Sequence, residues 1–160
     1  MMKKLIFLTI ATLGLVGLPG WALAQTETPE TALNSCQIDP ASPNAVQQQR
    51  ALIGAKNLAR RAAERANGGL QNYRAEPAMH GSVIVDSFPC QQLGPETFRF
   101  VFRGGSPLEV ASGDYSVVSV VRIENGIGSA VDIDLEFNGS FADYRQYRAV
   151  NPEQDLIVYQ

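Results

Sequence analysis

The chain has 160 residues, of which 45% are hydrophobic and 18% are charged, and its formal net charge is −3. This length and composition fit a single domain with one hydrophobic core. The acidic balance excludes a general nucleic-acid-binding protein, because such a protein needs a basic surface to meet the phosphates.

The first 24 residues predict a cleavable secretory signal peptide. Lys3 and Lys4 give a positive start, an uncharged apolar run follows over 5–18, and Ala22-Leu23-Ala24 is a small-x-small cleavage site. The run is shorter than the roughly 20 residues that a membrane-spanning helix needs. We therefore expect export to the periplasm or beyond, with cleavage near Ala24-Gln25 and no membrane span afterwards. Without the two lysines the net charge becomes −5.

Residues 25–42 are polar and predict an extended tether before a single domain over 43–160. The chain has two cysteines, Cys36 and Cys90. In an oxidising compartment such a pair predicts one structural disulfide, which would pin the tether to the domain. A redox or metal pair is the alternative, but neither a CxxC spacing nor a nearby histidine supports it.

An amphipathic helix over 43–67 is the clearest predicted element. Ser42 is suited to cap its start, Pro43 to its first turn, and Gly68 and Gly69 to a left-handed end. Apolar residues at helical spacing form one stripe, which is mostly alanine. This stripe comprises Ala51, Leu52, Ala55, Leu58, Ala59, Ala62, Ala63 and Ala66. The opposite, basic face comprises Arg50, Lys56, Arg60, Arg61, Glu64 and Arg65.

Three segments after the helix predict antiparallel strands. They span 97–103, 116–124 and 129–137, and they show alternation or an excess of valine. Asn125-Gly126 predicts a hairpin between the last two. Further short strands are indicated at 83–85 and 156–159, and 140–154 fits either a helix or an extended segment.

The third predicted strand alternates strictly, with Val131, Ile133, Leu135 and Phe137 on one face and Asp132, Asp134 and Glu136 on the other. A row of carboxylates could attract Ca²⁺ or a basic partner, or supply an acid/base pair if burial separates the pKa values. Because a flat row does not surround a cation, we interpret it as a solvated sheet face.

One long helix followed by an antiparallel meander is an α+β plan. We expect a sheet of about four strands with one face in solvent, and Phe98, Phe100 and Phe102 packed on the alanine stripe. This arrangement resembles the cystatin-type fold, in which a sheet wraps a helix. The Gln-x-Val-x-Gly hairpin of inhibitory cystatins does not occur in the chain. The resemblance therefore implies architecture and no protease inhibition.

Five short segments of the chain form a series: Leu58-Ala59-Arg60, Ala62-Ala63-Glu64, Asn67-Gly68-Gly69-Leu70, Tyr73-Arg74-Ala75-Glu76 and Met79-His80-Gly81. This series resembles a family of small exported cyanobacterial proteins, and the resemblance covers roughly 50–137 if 98–104 and 116–121 are its later strands. It implies export and one domain of a helix plus strands, and it implies no catalytic residues.

The sequence offers little for catalysis or metal binding. His80 is the only histidine, which excludes sites that need two. No Gly-x-Ser-x-Gly segment places a nucleophilic serine. We therefore expect no cofactor and no metal.

Two groups of residues are the candidate binding surfaces. The basic helix face has a local charge of +4 and could dock an acidic surface, an anionic lipid or a polysaccharide. Tyrosines and arginines interleave over 144–148, a composition typical of interfaces and also of ordinary packing. The candidate binding residues are Arg60, Arg61, Arg65, Tyr144, Arg145, Tyr147 and Arg148.

These observations favour a monomeric, non-enzymatic envelope protein that binds a protein or small-molecule partner. One alternative is a small enzyme that uses an acid/base carboxylate in a cleft between helix and sheet. Another is a purely structural accessory domain. The most informative feature would be a cavity between the alanine stripe and the three phenylalanines.

Overall fold

A computed structural model of the chain describes residues 36, 38–83, 90–125 and 130–152. The signal peptide, most of the tether, residues 126–129 of the hairpin loop, and residues 84–85 and 156–159 of the two short predicted strands lie outside these ranges. Within them, no helix is both long enough and apolar enough to cross a membrane. The elements are α1 (Ala45–Ala66), β1 (Arg74–Ala75), a 3₁₀ turn (Pro77–Met79), β2 (Cys90–Gly94), β3 (Thr97–Gly105), α2 (Pro107–Ser112), β4 (Val117–Glu124), β5 (Asp132–Ser140) and α3 (Phe141–Val150).

Helix α1 confirms the predicted long helix, but it begins two residues later than expected. Asn44 occupies the N-cap position and makes no side-chain capping bond. The Ser42 hydroxyl instead accepts a hydrogen bond from the Asn44 amide at 3.4 Å, so Ser42 and Pro43 form a turn before the helix. The end agrees with the prediction, because Gly68 and Gly69 have φ angles of 84° and 82°, the left-handed region that glycine allows.

The sheet has five strands, all paired antiparallel, where about four were expected. Strand β3 lies at its centre and pairs with β4 along one edge. Its other edge is shared, because β2 pairs with the beginning of β3 and the two-residue β1 pairs with its end. β5 follows β4 on the far side, as the predicted hairpin requires. The protein is therefore an α+β domain with α1 packed on the sheet.

The main core lies between α1 and the sheet, as predicted. Leu52, Ala55, Ala59 and Ala63 on α1 are buried with at most 1% exposure. Phe98, Phe100 and Phe102 belong to the same buried cluster, together with Val121 and Ile123 of β4. Alanine allows the helix axis to approach closely, so the sheet supplies the bulky side chains that fill the space. Ala66, at the end of the stripe, is exposed.

A second core lies on the opposite face of the sheet, beneath α3. It consists of Val101, Val118, Val120 and Tyr144, with Phe137, Phe141 and Tyr147 packed against it. Residues 140–154, which the sequence left open, contain this helix, and the Ser140 hydroxyl caps it by accepting a bond from the Asp143 amide at 3.2 Å. The expectation of a solvated face is therefore wrong for the half of the sheet that α3 covers.

A β-bulge explains why the predicted alternation of β5 fails. Val120 pairs with Phe137, but Val121 pairs with Leu135, so Glu136 is an extra residue in the ladder. Because one extra residue reverses the facing of the side chains that follow, Phe137 packs in the second core while Leu135 packs against the first. The expectation that Phe137 shares a face with Leu135 is wrong for this reason.

The predicted disulfide between Cys36 and Cys90 is present, with the two Cα atoms 5.7 Å apart. Both cysteines are buried and belong to the main core cluster. The bond attaches the residues before α1 to the first residue of β2. A structural disulfide also suggests an oxidising compartment.

Candidate functional site

A cleft of about 260 Å³ opens where the alanine stripe meets the phenylalanine face, at the disulfide end of the domain. Leu52 on α1 and Phe98 on β3 lie side by side in its lining. The two surfaces are otherwise closed on each other, since Ala59 and Phe100 have no exposed area. Among the described lining residues, Leu52 alone represents the stripe and Phe98 alone represents the three phenylalanines, so the cleft lies at the end of the helix–sheet contact and not along it.

Three segments form this cleft, two of which are neighbours in the sequence. Cys36 and residues 38–42 form one wall, the first turns of α1 form the second, and the distant β2–β3 hairpin forms the third. Within the first wall, the Asp39 carboxylate accepts a hydrogen bond from the Ala41 amide at 2.9 Å. The Asp39 carbonyl accepts another from the Ser42 amide at 3.0 Å. These bonds shape the wall into a turn, and the disulfide holds that turn against β2.

The lining combines an apolar floor with a polar rim. Leu52 and Phe98 form part of the floor, and Ile38, Pro95 and the Cys36 half of the disulfide add to it. The polar residues of the rim are Asp39, Ser42, Gln48 and Gln92. Carboxamides both donate and accept hydrogen bonds, so this rim can orient a ligand whose apolar part covers the floor.

Two charged residues that were expected on the exposed face of α1 are buried instead. Lys56 is 2% exposed and Glu64 is 5% exposed. The Lys56 ammonium donates to the carbonyl oxygens of Ala78, at 3.4 Å, and of Gly81. Glu64 accepts from Arg60 one turn away, at 2.9 Å and 3.1 Å. The reason is that the segment after the helix folds back over this side of α1, which a helical projection of the sequence cannot show.

His80 lies at the edge of this charged group. Burial lowers the pKa of its imidazole below the ordinary value of 6.5, and the positive charge of Arg60 lowers it further. Across the described part of the chain, no group of three or more histidine, cysteine, aspartate or glutamate side chains is arranged to hold a metal ion.

A chain of partly buried hydrogen bonds, which sequence patterns did not predict, joins the end of α1 to the sheet. The Tyr73 hydroxyl lies 3.4 Å from that of Ser119, which donates to the Asn138 carboxamide at 2.8 Å. Asn138 and Asn67 then exchange two amide hydrogen bonds of 3.0 Å. Burial raises the pKa of Tyr73 to about 12. Ser119 was the available signal, because alternation places this polar residue on the apolar face of a valine-rich strand.

The row of carboxylates on β5 is only partly solvated. Asp132 and Asp134 are exposed as expected, but the side chain of Glu136 is mostly buried. It accepts two hydrogen bonds from Arg99, at 2.7 Å and 3.0 Å. Arg122 lies 3.4 Å from Asp134 and 3.5 Å from Glu136. The interpretation as a solvated face is thus wrong for Glu136, because Arg99 of β3 and Arg122 of β4 project from the same face of the sheet and engage its carboxylate.

Glu76, another buried carboxylate, is held in the same way. It lies between β1 and the 3₁₀ turn and is 5% exposed. One of its oxygens accepts from the Arg103 amide at 2.8 Å, and the other accepts from the Arg103 guanidinium at 2.9 Å and 3.1 Å. Glu64, Glu76 and Glu136 each therefore form a charge-assisted hydrogen bond with an arginine.

The predicted binding residues fall on opposite faces of the sheet and do not form one site. On α1, Arg61 and Arg65 are exposed, whereas Arg60 is engaged with Glu64. On α3, Tyr144 is buried in the second core and Tyr147 is half-buried. The remaining two, Arg145 and Arg148, line an open groove of about 420 Å³ beside Ala149 and Pro152.

Comparison of the chain with protein-family models, with curated proteins and with solved structures finds no match. The structure itself therefore defines the fold. Among the described residues, it is a helix packed on a five-stranded antiparallel sheet, with a cleft at the disulfide end.

Proposed function

We propose that the protein is an exported, non-enzymatic binding module that holds a small ligand in the cleft at its disulfide end. The observation that supports this most is the lining of the cleft, where Ile38 and Pro95, above the buried Leu52 and Phe98, meet a rim with two carboxamides. Such a combination of an apolar surface with a few polar groups is typical of small-molecule sites.

Export is part of the proposal. It is supported by the signal-peptide pattern over 1–24 and by the disulfide, which is stable outside the reducing cytosol. The resemblance to small exported cyanobacterial proteins agrees with a location outside the cytosol. Binding would then take place in the periplasm or outside the cell.

The cleft favours an uncharged or cationic ligand. Asp39 contributes a carboxylate to the lining, and none of the lining residues that the structure describes carries a positive charge. The volume of about 260 Å³ lies just below the roughly 300–1,000 Å³ that is typical of sites for drug-sized molecules. We therefore propose a small amphipathic molecule with hydrogen-bonding groups at one end.

An enzyme that uses an acid/base carboxylate is the less supported alternative. Asp39 in the cleft is exposed and already accepts a hydrogen bond from the Ala41 amide. General acid/base catalysis by a carboxyl group usually depends on burial to bring its pKa near neutrality. The buried carboxylates Glu64 and Glu76 lie outside the lining and are held by arginines.

The test uses N-phenyl-1-naphthylamine, an uncharged fluorescent amphiphile, with two matched variants of α1. Gln48→Trp places a bulky ring in the cleft, whereas Gln47→Trp places the same ring on the exposed surface one residue earlier. We expect fluorescence enhancement with the wild-type protein and with Gln47→Trp. Binding to Gln48→Trp should be at least about tenfold weaker, a loss of about 1.4 kcal/mol.

Circular dichroism melts of all three proteins serve as the control for folding. Equal binding by the two tryptophan variants would contradict the proposal, because the probe would then occupy another surface. Turnover by the wild-type protein in a broad hydrolase or isomerase panel, abolished by Asp39→Asn, would favour the enzyme instead.

A further inference from the structure

The outward face of α1 carries a set of arginines without acidic neighbours on the same helix. Arg50, Arg61 and Arg65 are exposed and lie on the side away from the sheet. The single acidic residue of α1, Glu64, is turned inward and engaged by Arg60. The burial of Lys56 and Glu64 thus leaves a narrower basic surface than the sequence indicated, but one that is uniformly positive.

Gly54 lies at the middle of this surface, and the fold does not require a glycine there. A Cβ atom at this position would meet no atom within 4 Å, and the backbone is ordinary helix without a positive φ angle. Glycine is also among the least favourable residues for a helix interior. A glycine at position 54 on this exposed face is explained if the backbone of another protein approaches α1 closely there.

Apolar side chains accompany the arginines on this side of α1. Val46 is 62% exposed and Ile53 is 38% exposed, and helical spacing brings both next to the line of Arg50 and Gly54. Arg50 and Arg61 lie about 16 Å apart along the axis, with Gly54 between them. We call Val46, Arg50, Ile53, Gly54 and Arg61 the Gly54 face.

We propose that the Gly54 face docks an acidic α-helix of another protein. The partner's small or apolar side would cover Gly54 and Ile53, and its carboxylates, three helical turns apart, would meet Arg50 and Arg61. The positive charge of the face favours a negatively charged partner. The absence of a side chain at Gly54 lets the partner helix approach α1 closely. This surface is separate from the cleft, so the inference does not depend on the proposed ligand.

A second copy of the chain is a poor occupant of the same face. If two α1 helices crossed antiparallel with Gly54 near the centre, Arg50 of each would lie opposite Arg61 of the other. Like charges placed directly opposite each other disfavour such a pairing. A flexible polyanion fits less well too, since it would use the arginines but would gain nothing from Gly54 or from the apolar residues.

The experiment measures binding of a fluorescein-labelled synthetic helical peptide by anisotropy at low salt, where surface charges are least screened. The peptide has glutamates eleven residues apart, with alanine and leucine between them on the same face. A control peptide has the same composition with the glutamates on the opposite face. We expect the first peptide to bind the mature protein at least about tenfold more tightly than the control peptide.

Variants of the protein separate the contributions. Gly54→Leu should weaken peptide binding at least about tenfold while leaving the melting temperature unchanged or higher, because the added side chain meets only open space. Arg61→Glu should weaken it similarly. Arg74→Glu makes the same charge change at an exposed position on β1, whose neighbours Tyr73 and Ala75 face the main core, and should have no effect.

Three results would overturn the proposal. The first is failure of the wild-type protein to bind the acidic peptide, or equal binding of the control peptide. The second is unchanged binding by Gly54→Leu together with binding of inorganic polyphosphate that Arg61→Glu abolishes, which would indicate a polyanion site. The third is dimerisation of the wild-type protein in sedimentation analysis that Gly54→Leu abolishes, which would assign the face to a second copy.

Discussion

At the scale of single residues, two glycines have opposite roles, and substituting each by alanine tests this. A Cβ atom at Gly104 would lie 2.2 Å from the Tyr73 hydroxyl and 2.6 Å from the Arg74 carbonyl oxygen. We expect Gly104→Ala to lower the free energy of unfolding by about 3 kcal/mol. Gly54→Ala should raise it by up to about 1 kcal/mol, since helix propensity improves without a clash. Urea unfolding measures the change in the free energy of unfolding for both variants. Equal changes would show that the backbones of β1 and β3 lie farther apart at Gly104 than in the structure.

The buried tyrosine makes the domain sensitive to alkaline pH. Burial raises the pKa of Tyr73 from its ordinary value of 10.0 to about 12. Its contribution to stability is therefore complete below about pH 10 and is lost as the pH rises through about 12, because the unfolded tyrosine ionises first. At about pH 11 the loss amounts to about 1.4 kcal/mol.

Tyr73→Phe removes the ionising group while keeping the ring, so the free energy of unfolding should fall less between about pH 8 and about pH 11 than in the wild-type protein. Urea denaturation at the two pH values measures the difference. Identical pH dependence in the two proteins would contradict the buried position of the hydroxyl.

The burial of a residue was predictable where helical periodicity alone determines it. It was not predictable where another segment of the chain covers the side chain. The alanine stripe followed from helical periodicity, because one side of α1 has to face the core. Lys56 and Glu64 fell outside the stripe, yet both are buried. Periodicity gives the direction of a side chain but not the loop that later covers it. Lys56 is covered because the chain from Ala78 to Gly81 crosses it and supplies two carbonyl acceptors.

At the scale of elements, Glu136 of β5 forms an ion pair with Arg99 of β3 across the intervening strand β4. Both side chains are mostly buried, at 12% and 11% exposure. We expect Glu136→Gln to lower the free energy of unfolding by about 1–3 kcal/mol, because it leaves the Arg99 charge without its anion. Asp132→Asn, at an exposed position on the same strand, should change it by less than about 0.5 kcal/mol. If both substitutions changed the free energy of unfolding equally, Glu136 would be as exposed to solvent as Asp132, which is what strict alternation along β5 predicts. Urea unfolding measures both changes.

The disulfide has an effect on stability and a further effect on the cleft. The bond closes a loop with a sequence separation of 54. Replacing both Cys36 and Cys90 by serine should therefore lower the free energy of unfolding by about 4 kcal/mol in the chain-entropy model. The same variant should lose affinity for N-phenyl-1-naphthylamine while still folded, because the wall from Cys36 to Ser42 loses its attachment to β2. Retained affinity in the folded double variant would show that this wall holds its place without the bond.

Strand faces were predictable up to the bulge and not beyond it. Alternation placed Ile133 and Leu135 correctly on the side of the main core. It failed at Phe137, because the sequence pattern gives no sign of an extra residue in the ladder at Glu136. Helix α3 follows from the same event, since Phe137 provides part of the apolar surface on which Tyr144 packs.

At the scale of the whole molecule, the α+β plan and the disulfide were readable from the sequence, whereas the cleft was not. A long helix that exposes an alanine stripe needs a sheet with bulky residues, and Phe98, Phe100 and Phe102 supplied them. The cleft depends on the meeting of the wall from Cys36 to Ser42, the start of α1 and the β2–β3 hairpin. Such convergence follows from tertiary packing, which no local pattern records.

The candidate binding residues show the same limit. Arginines and tyrosines at 144–148 have an interface-like composition, yet Tyr144 is a core residue and the set divides between two faces of the sheet. The composition of this segment indicated residue types that are suited to binding. Which of these side chains are exposed on the same surface depends on the topology of the fold.

The most direct test of an exported binding module is native mass spectrometry of the protein recovered from the envelope of the organism that produces it. We predict a chain that starts near Gln25, is lighter by two hydrogens because of the disulfide, and carries a small-molecule adduct. The adduct should persist in Gln47→Trp and be absent in Gln48→Trp. A chain that retains residues 1–24, or an adduct that persists when the cleft is filled, would contradict the account.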